Sequence, residues 1–316
     1  MSVTARVAAA PRVSVAQIDL LNIGLMLGTA VLAARLPFEL FLFAYAVLGP
    51  LHYLTEISWL HDRGYFTTGR WDALPLIPLA AAGLANYLRL VQWDGAVVLA
   101  FGLSAGIAFA RAVTTKLAVA ALAVAASLVV TRWGPAALVF VVLLPTLVHV
   151  FLFTGLFILH GAIRHRSATG YASFVVFLGC AALLLFRHPP AGHYSVSVSS
   201  ARIMGEFALL IEPLARLFPK PIGWDALAAI GRFLAFVYTY HYLNWFSKTQ
   251  VIRWHEVGRA RLGVVAGLYV ASVALYAIDY RMGIVALYFL SLLHVLLELP
   301  LDLRTLVAVT GRFAPA

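Results

Sequence analysis

Charge is scarce in this chain and cysteine almost missing. Asp, Glu, Lys and Arg together make up 11% of 316 residues, where a soluble domain carries about 25%. So little polar material cannot cover a water-facing surface, which excludes a soluble globular domain and turns the outer surface toward lipid. Cys180 is the single cysteine. That excludes a disulfide framework and a thiolate metal site, and leaves Cys180 as a small packing residue. No stretch alternates with the period of a barrel strand, so an all-α fold is expected. No Walker-type loop occurs, which argues against a nucleotide site.

What is present is hydrophobic: 63% of the residues, with a mean hydropathy of +0.92. A spanning helix needs about 20 mostly apolar residues. Ten segments qualify: 18–34, 38–60, 74–91, 95–110, 116–131, 136–162, 171–186, 225–246, 263–278 and 283–299. The chain therefore reads as one polytopic transmembrane helical bundle over 1–316, with about ten spans. Arg6 and Arg12 precede an apolar segment that reads as an uncleaved first helix. Placing both termini in the cytoplasm puts 14 basic residues on the inner side against 8 on the outer, with Arg232 left inside a span. In a bacterial cell this is an inner (cytoplasmic) membrane protein. The net charge of +10 then follows from orientation and anionic headgroups, and nucleic acid is not expected as a partner. The stretch 187–224 reads as an outer loop with an interfacial helix around Ile203–Phe218, which carries Glu206, Glu212 and Arg216.

Ionisable residues inside spans are costly and are functional candidates by default. Of ten histidines, His52, His149, His160, His241 and His294 fall within spans. At 1.5 Å per residue, His52 should lie roughly 12 Å below the inner end of its helix. His160, His241 and His294 should lie within roughly 8 Å of theirs, and His149 about three turns deeper than His160. Two histidines have a glutamate four residues on, His52 with Glu56 and His294 with Glu298, and such pairs project from one helix face. The expected metal ligands are His52, Glu56, His160, His241, His294 and Glu298, with Glu56 and Glu298 as the catalytic or bridging carboxylates. Imidazole and carboxylate suit iron, manganese or zinc, singly or as a pair of ions. A glutamate could instead orient its histidine, and any one buried His or Glu could be a helix–helix hydrogen bond. Histidines on facing helices could also ligate haem, which would leave the paired glutamates unexplained. His61, Arg63, Asn244, Trp245 and Lys248, in polar and aromatic runs at the inner membrane edge, are the expected substrate contacts. His61, His165 and His255 add ligands if their loops fold back.

Gly49-Pro50-Leu51-His52 and Phe236-Val237-Tyr238-Thr239-Tyr240-His241 resemble two motifs of the Brp/Blh family of carotene-cleaving dioxygenases. The resemblance implies a helical bundle holding iron through histidines of several spans. Tyr53-Leu54-Thr55-Glu56 stands where that family has a dense run of histidines and small residues, so what carries over is a membrane metal-dependent oxygenase rather than carotene as substrate. The HxxxH and HxxHH pattern of membrane desaturases is missing. The leading expectation is a non-haem iron oxidoreductase acting on a hydrophobic lipid or isoprenoid in the cytoplasmic half of the bilayer. A proton-coupled transporter using the same groups as a relay, and a non-catalytic assembly or lipid-binding subunit, are the alternatives.

Overall fold

The computed structural model describes residues 13–91, 93, 95–133, 144–186 and 224–313. Among them there is no strand. The apolar segments form α1 (Val15–Arg35), α2 (Pro37–His61), α3 (Leu76–Tyr87), α4 (Gly95–Ile107), α5 (Val113–Val130), α6 (Leu147–His165), α7 (Ala168–Phe186), α8 (Trp224–Ser247), α9 (Arg259–Ile278) and α10 (Tyr280–Phe313). The expected outer loop and interfacial helix lie outside the described residues.

Where the sequence led to about ten spans, seven of these helices are long and apolar enough to cross a membrane: α1, α2, α5, α6, α7, α9 and α10. The chain is accordingly a multi-pass membrane protein. α3 and α4 have 12 and 13 residues, a rise of about 18–20 Å against a hydrocarbon core of about 30 Å. α8 is long enough at 24 residues but carries Arg232, His241, Asn244 and three tyrosines. Its position explains that polarity. From Ala228 to Tyr242 every residue but the partly exposed Ile230 is buried, so α8 faces protein all round and its polar groups meet partners instead of lipid.

α1, α5 and α9 lie at the rim and present leucine and valine outward, among them Leu20, Val31, Leu122 and Val264, as lipid-facing helices do. α2 and α10 are mostly buried. α8 packs against α1, α2 and α7, while α10 packs against α2, α3, α4, α6 and α9. The centre of the bundle is therefore α2, α6, α8 and α10.

Small residues set the close contacts. A Cβ built on Gly95, Gly102 or Gly106 of α4 would collide with Ser127, Ala123 or Val119 of α5 at 2.2, 2.9 and 1.9 Å. Polar side chains fasten the edges. Lys116 pairs with Asp72 at 2.7 Å, tying the start of α5 to the loop before α3. Ser14 and Gln17 form a capping box that opens α1.

α10 runs on through Pro300. Pro300 has no N–H to give the Leu296 carbonyl four residues back; the Ser104 hydroxyl of α4 donates to that carbonyl instead, at 2.5 Å. The helix thus continues from Glu298 to Phe313, beyond the segment 283–299 read from the sequence. Ser104→Ala is expected to cost about 1–3 kcal/mol, the penalty of a buried carbonyl left without a donor. In a Pro300→Ala background, where a backbone N–H returns, the cost should fall. Thermal unfolding of the two singles and the double in detergent measures the difference.

Candidate metal centre

Four imidazoles meet in the middle of the bundle. His52 of α2 contacts His241 of α8, which contacts His149 of α6, which contacts His294 of α10, which returns to His52. The ring centroids are 4.7, 5.1, 5.4 and 5.5 Å apart in that order. Three carboxylates join them. Glu56 Oε2 is 3.0 Å from His52 Nε2, Glu298 Oε2 is 3.3 Å from His149 Nε2, and Asp302 Oδ2 is 3.4 Å from His149 Nδ1. All seven side chains are buried, none more than 7% exposed.

Local backbone features place two of the histidines. A π-helical stretch, Ala44–Leu48, interrupts α2 just ahead of His52. Gly49 N–H reaches back five residues to the Ala44 carbonyl, and Pro50, which has no N–H, follows. His149 lies within a second π-helical stretch, Leu144–Phe153. Such segments re-aim side chains within a helix and are frequent at functional sites. On α10, His294, Glu298 and Asp302 recur every four residues, so each faces the centre about 6 Å further along the axis than the last.

The donors sort into two groups, His52–Glu56–His294 and His149–Glu298–Asp302, each with ligand atoms within 4.8 Å of one another. The i,i+4 pair of α10 is divided between them. Glu298 lies close enough to Glu56 and Asp302 for the carboxylates to repel. His241 adds a further nitrogen: its Nε2 is 3.1 Å from His52 Nε2, while its Nδ1 is 2.8 Å from the Thr154 hydroxyl. With Nδ1–H donating to Thr154 Oγ1, the Nε2 lone pair turns inward beside His52, the arrangement in which an outer hydrogen bond fixes a ligating imidazole.

The unsatisfied polar atoms collect at this place. Of eleven buried side-chain nitrogens and oxygens without a hydrogen-bond partner among the described residues, seven belong here: His52 Nδ1, both Glu56 oxygens, His149 Nε2, His294 Nδ1, Glu298 Oε2 and Asp302 Oδ1. Buried polar groups are normally paired, and buried charges are paired or bind metal. The two buried clusters can hold metal ions. Three carboxylates and neutral imidazoles also balance the charge of two divalent cations to within one hydroxide.

No family model, no curated protein and no solved structure matches this chain. The site therefore has to be read from its own chemistry.

The expected ligands separate in space. His52, Glu56, His241, His294 and Glu298 come together. His160 is in neither group; it is only partly buried and stands eleven residues beyond His149 on α6, about 16 Å along the axis. His149 takes the place in the ring, and Asp302 is a further candidate ligand, beyond the segment 283–299. The spacing His294, Glu298, Asp302 was the available signal.

Of the expected substrate contacts, Trp245 lies against the centre. Trp245 packs edge-on to His52 at 5.5 Å and donates its indole N–H to Thr55 Oγ1. Asn244 is buried beside Tyr240, whose hydroxyl, like that of Ser247, donates to Asn22 of α1. Lys248 is partly buried after the end of α8. Arg63 stacks on Trp59 at 4.0 Å, and Trp59 stands edge-on to Trp245. His61, His165 and His255 are exposed, so their loops do not fold back to supply ligands. Beside His61, a hydrogen bond from Arg261 holds the Asp62 carboxyl below its ordinary range. This depressed carboxyl favours the fold at neutral pH and ceases to do so as pH falls through the carboxylate range; being exposed, the pair contributes little.

Proposed function

We propose that the chain is a membrane-embedded non-haem metal enzyme with two adjacent ions, one held by His52, Glu56 and His294 with His241 beside it, the other by His149, Glu298 and Asp302. The observation that carries this reading is the concentration of buried imidazole and carboxylate atoms, several of them without a hydrogen bond, at one point of the bundle. Nitrogen and oxygen donors of this kind suit iron, manganese or zinc. Iron, bound there, would supply dioxygen chemistry. The protein's part is to hold the donors apart from water inside a hydrophobic bundle, and to bring a lipid-soluble substrate, such as an isoprenoid or acyl chain, to the aromatic side formed by Trp245 and Trp59. Oxidation of such a substrate is the reaction class we assign.

The direct histidine–carboxylate distances of 3.0 to 3.4 Å favour one other reading, a metal-free proton relay in a transporter. Metal analysis of detergent-purified protein by inductively coupled plasma mass spectrometry separates the two. About two ions of iron or manganese per chain in the wild type, falling to about one in His52→Ala/His294→Ala, is the expected result. Protein that stays metal-free after reconstitution with each ion overturns the enzyme reading in favour of the relay.

A further inference from the structure

Tyrosines lie directly against the histidine ring: Tyr53 stacks on His294 at 4.2 Å, and Tyr242 lies 5.1 Å from His52. The two tyrosine hydroxyls are 2.7 Å apart. From there ring contacts continue from Tyr242 to Tyr238 at 6.2 Å, Tyr238 to Tyr45 at 6.3 Å, Tyr45 to Tyr276 at 6.5 Å and Tyr276 to Tyr280 at 4.9 Å. Tyr280 is partly exposed at the turn between α9 and α10, between the exposed Asp279 and Arg281.

Packing alone does not account for this row. Phenylalanine would fill the same space without burying a hydroxyl, and a buried hydroxyl needs a partner. The Tyr276 hydroxyl is buried with none. Two glycines keep room for the row. A Cβ on Gly49 would come within 3.0 Å of the Tyr53 hydroxyl and 3.3 Å of that of Tyr242, and a Cβ on Gly283 would strike the Tyr276 ring at 2.4 Å.

We infer that Tyr53, Tyr242, Tyr238, Tyr45, Tyr276 and Tyr280 form a path along which oxidising equivalents leave the centre for the edge of the bundle. The inference rests on the redox metal centre proposed above. A phenol is the oxidisable group here: each tyrosine that is oxidised gives up one electron and its phenolic proton and becomes a neutral radical. Two such events supply the two electrons and two protons that convert one hydrogen peroxide to two waters. Electron exchange between neighbouring rings then moves the radical outward in short steps, each tyrosine regaining its hydrogen as the next one loses it. Its function is to discharge the centre when an oxidant arrives without substrate, before the ligating histidines are themselves oxidised. Phenylalanine is too hard to oxidise to pass the radical on, so a single Tyr→Phe change interrupts the path while keeping the packing.

The test uses full-length, iron-loaded protein treated with hydrogen peroxide. A tyrosyl radical in the electron paramagnetic resonance spectrum is expected, altered in line shape by ring-deuterated tyrosine. Peptide mass spectrometry with a nitroso spin trap should find the adduct at Tyr280. Tyr45→Phe, and Tyr238→Phe as a second interruption, should retain iron and lower the Tyr280 adduct at least about tenfold while oxidation of the site histidines rises. Iron-loaded wild type without a tyrosyl signal, or an undiminished Tyr280 adduct in both variants, overturns the path and leaves the metal centre standing. A wild type that binds no metal overturns the centre and the path with it.

Discussion

Asp302→Ala should leave about one metal ion per chain where the wild type is expected to bind two. Asp302 is fully buried, belongs to the His149–Glu298 group, and has one carboxyl oxygen 3.4 Å from His149 and the other without a partner. Its removal takes a donor and a negative charge from one group and leaves His52, Glu56 and His294 untouched. Even the outer partners of metal ligands are worth about 10–100-fold in affinity, so loss of a direct ligand should cost at least about 100-fold at that ion. His149→Ala should match it, and His52→Ala should empty the other group. His160→Ala is the control and should keep both ions and full activity. Metal-to-protein ratios after gel filtration decide the matter. An Asp302→Ala protein with two ions, beside a His160→Ala protein with fewer, would reverse the assignment of α6 and of the last helix.

Removal of metal should lower stability, and three conservative substitutions should abolish that dependence. Without cations, Glu56, Glu298 and Asp302 repel one another in the interior. Ligand that binds only the folded state stabilises it by about 4 kcal/mol when its free concentration is a thousandfold above Kd. Chelation of the wild type should therefore lower Tm in detergent by several degrees, and re-addition of metal should restore it. Glu56→Gln/Glu298→Gln/Asp302→Asn should show no response to chelator or metal. At neutral pH it should unfold no lower than the metal-free wild type, since the amides keep the side-chain volume and remove the repulsion. A relay that works without metal gives the opposite pattern: no chelator effect in the wild type. The two experiments are independent, because one counts ions and the other measures the energy of the empty cluster.

The difference between α6 and α10 as read and as folded has a common cause. On α6, His149 and His160 are eleven residues apart, close to three whole turns, so on an ideal helix both point the same way. Periodicity cannot choose between them. Height along the axis can, and height is set by the packing of α6 on α10 and by the π-helical stretch around His149. On α10, Pro300 is a local stop signal, and a span ended at 299 places Asp302 in a loop. The hydroxyl that keeps the helix going comes from Ser104, 192 residues away in sequence.

Composition determined that the chain is membrane-embedded, because 11% charged residues leave no means of covering a soluble surface, and the lack of strand-period alternation determined that it is helical. Local spacing determined that His52 and Glu56, and His294 and Glu298, share helix faces, because the helical repeat is a property of the backbone. Only the tertiary structure decided that α8 is enclosed by other helices, that four histidines close into a ring, and that His294 and Glu298 serve different groups. Those facts depend on the heights and rotations at which separate helices dock, which are set by side chains far apart in the sequence.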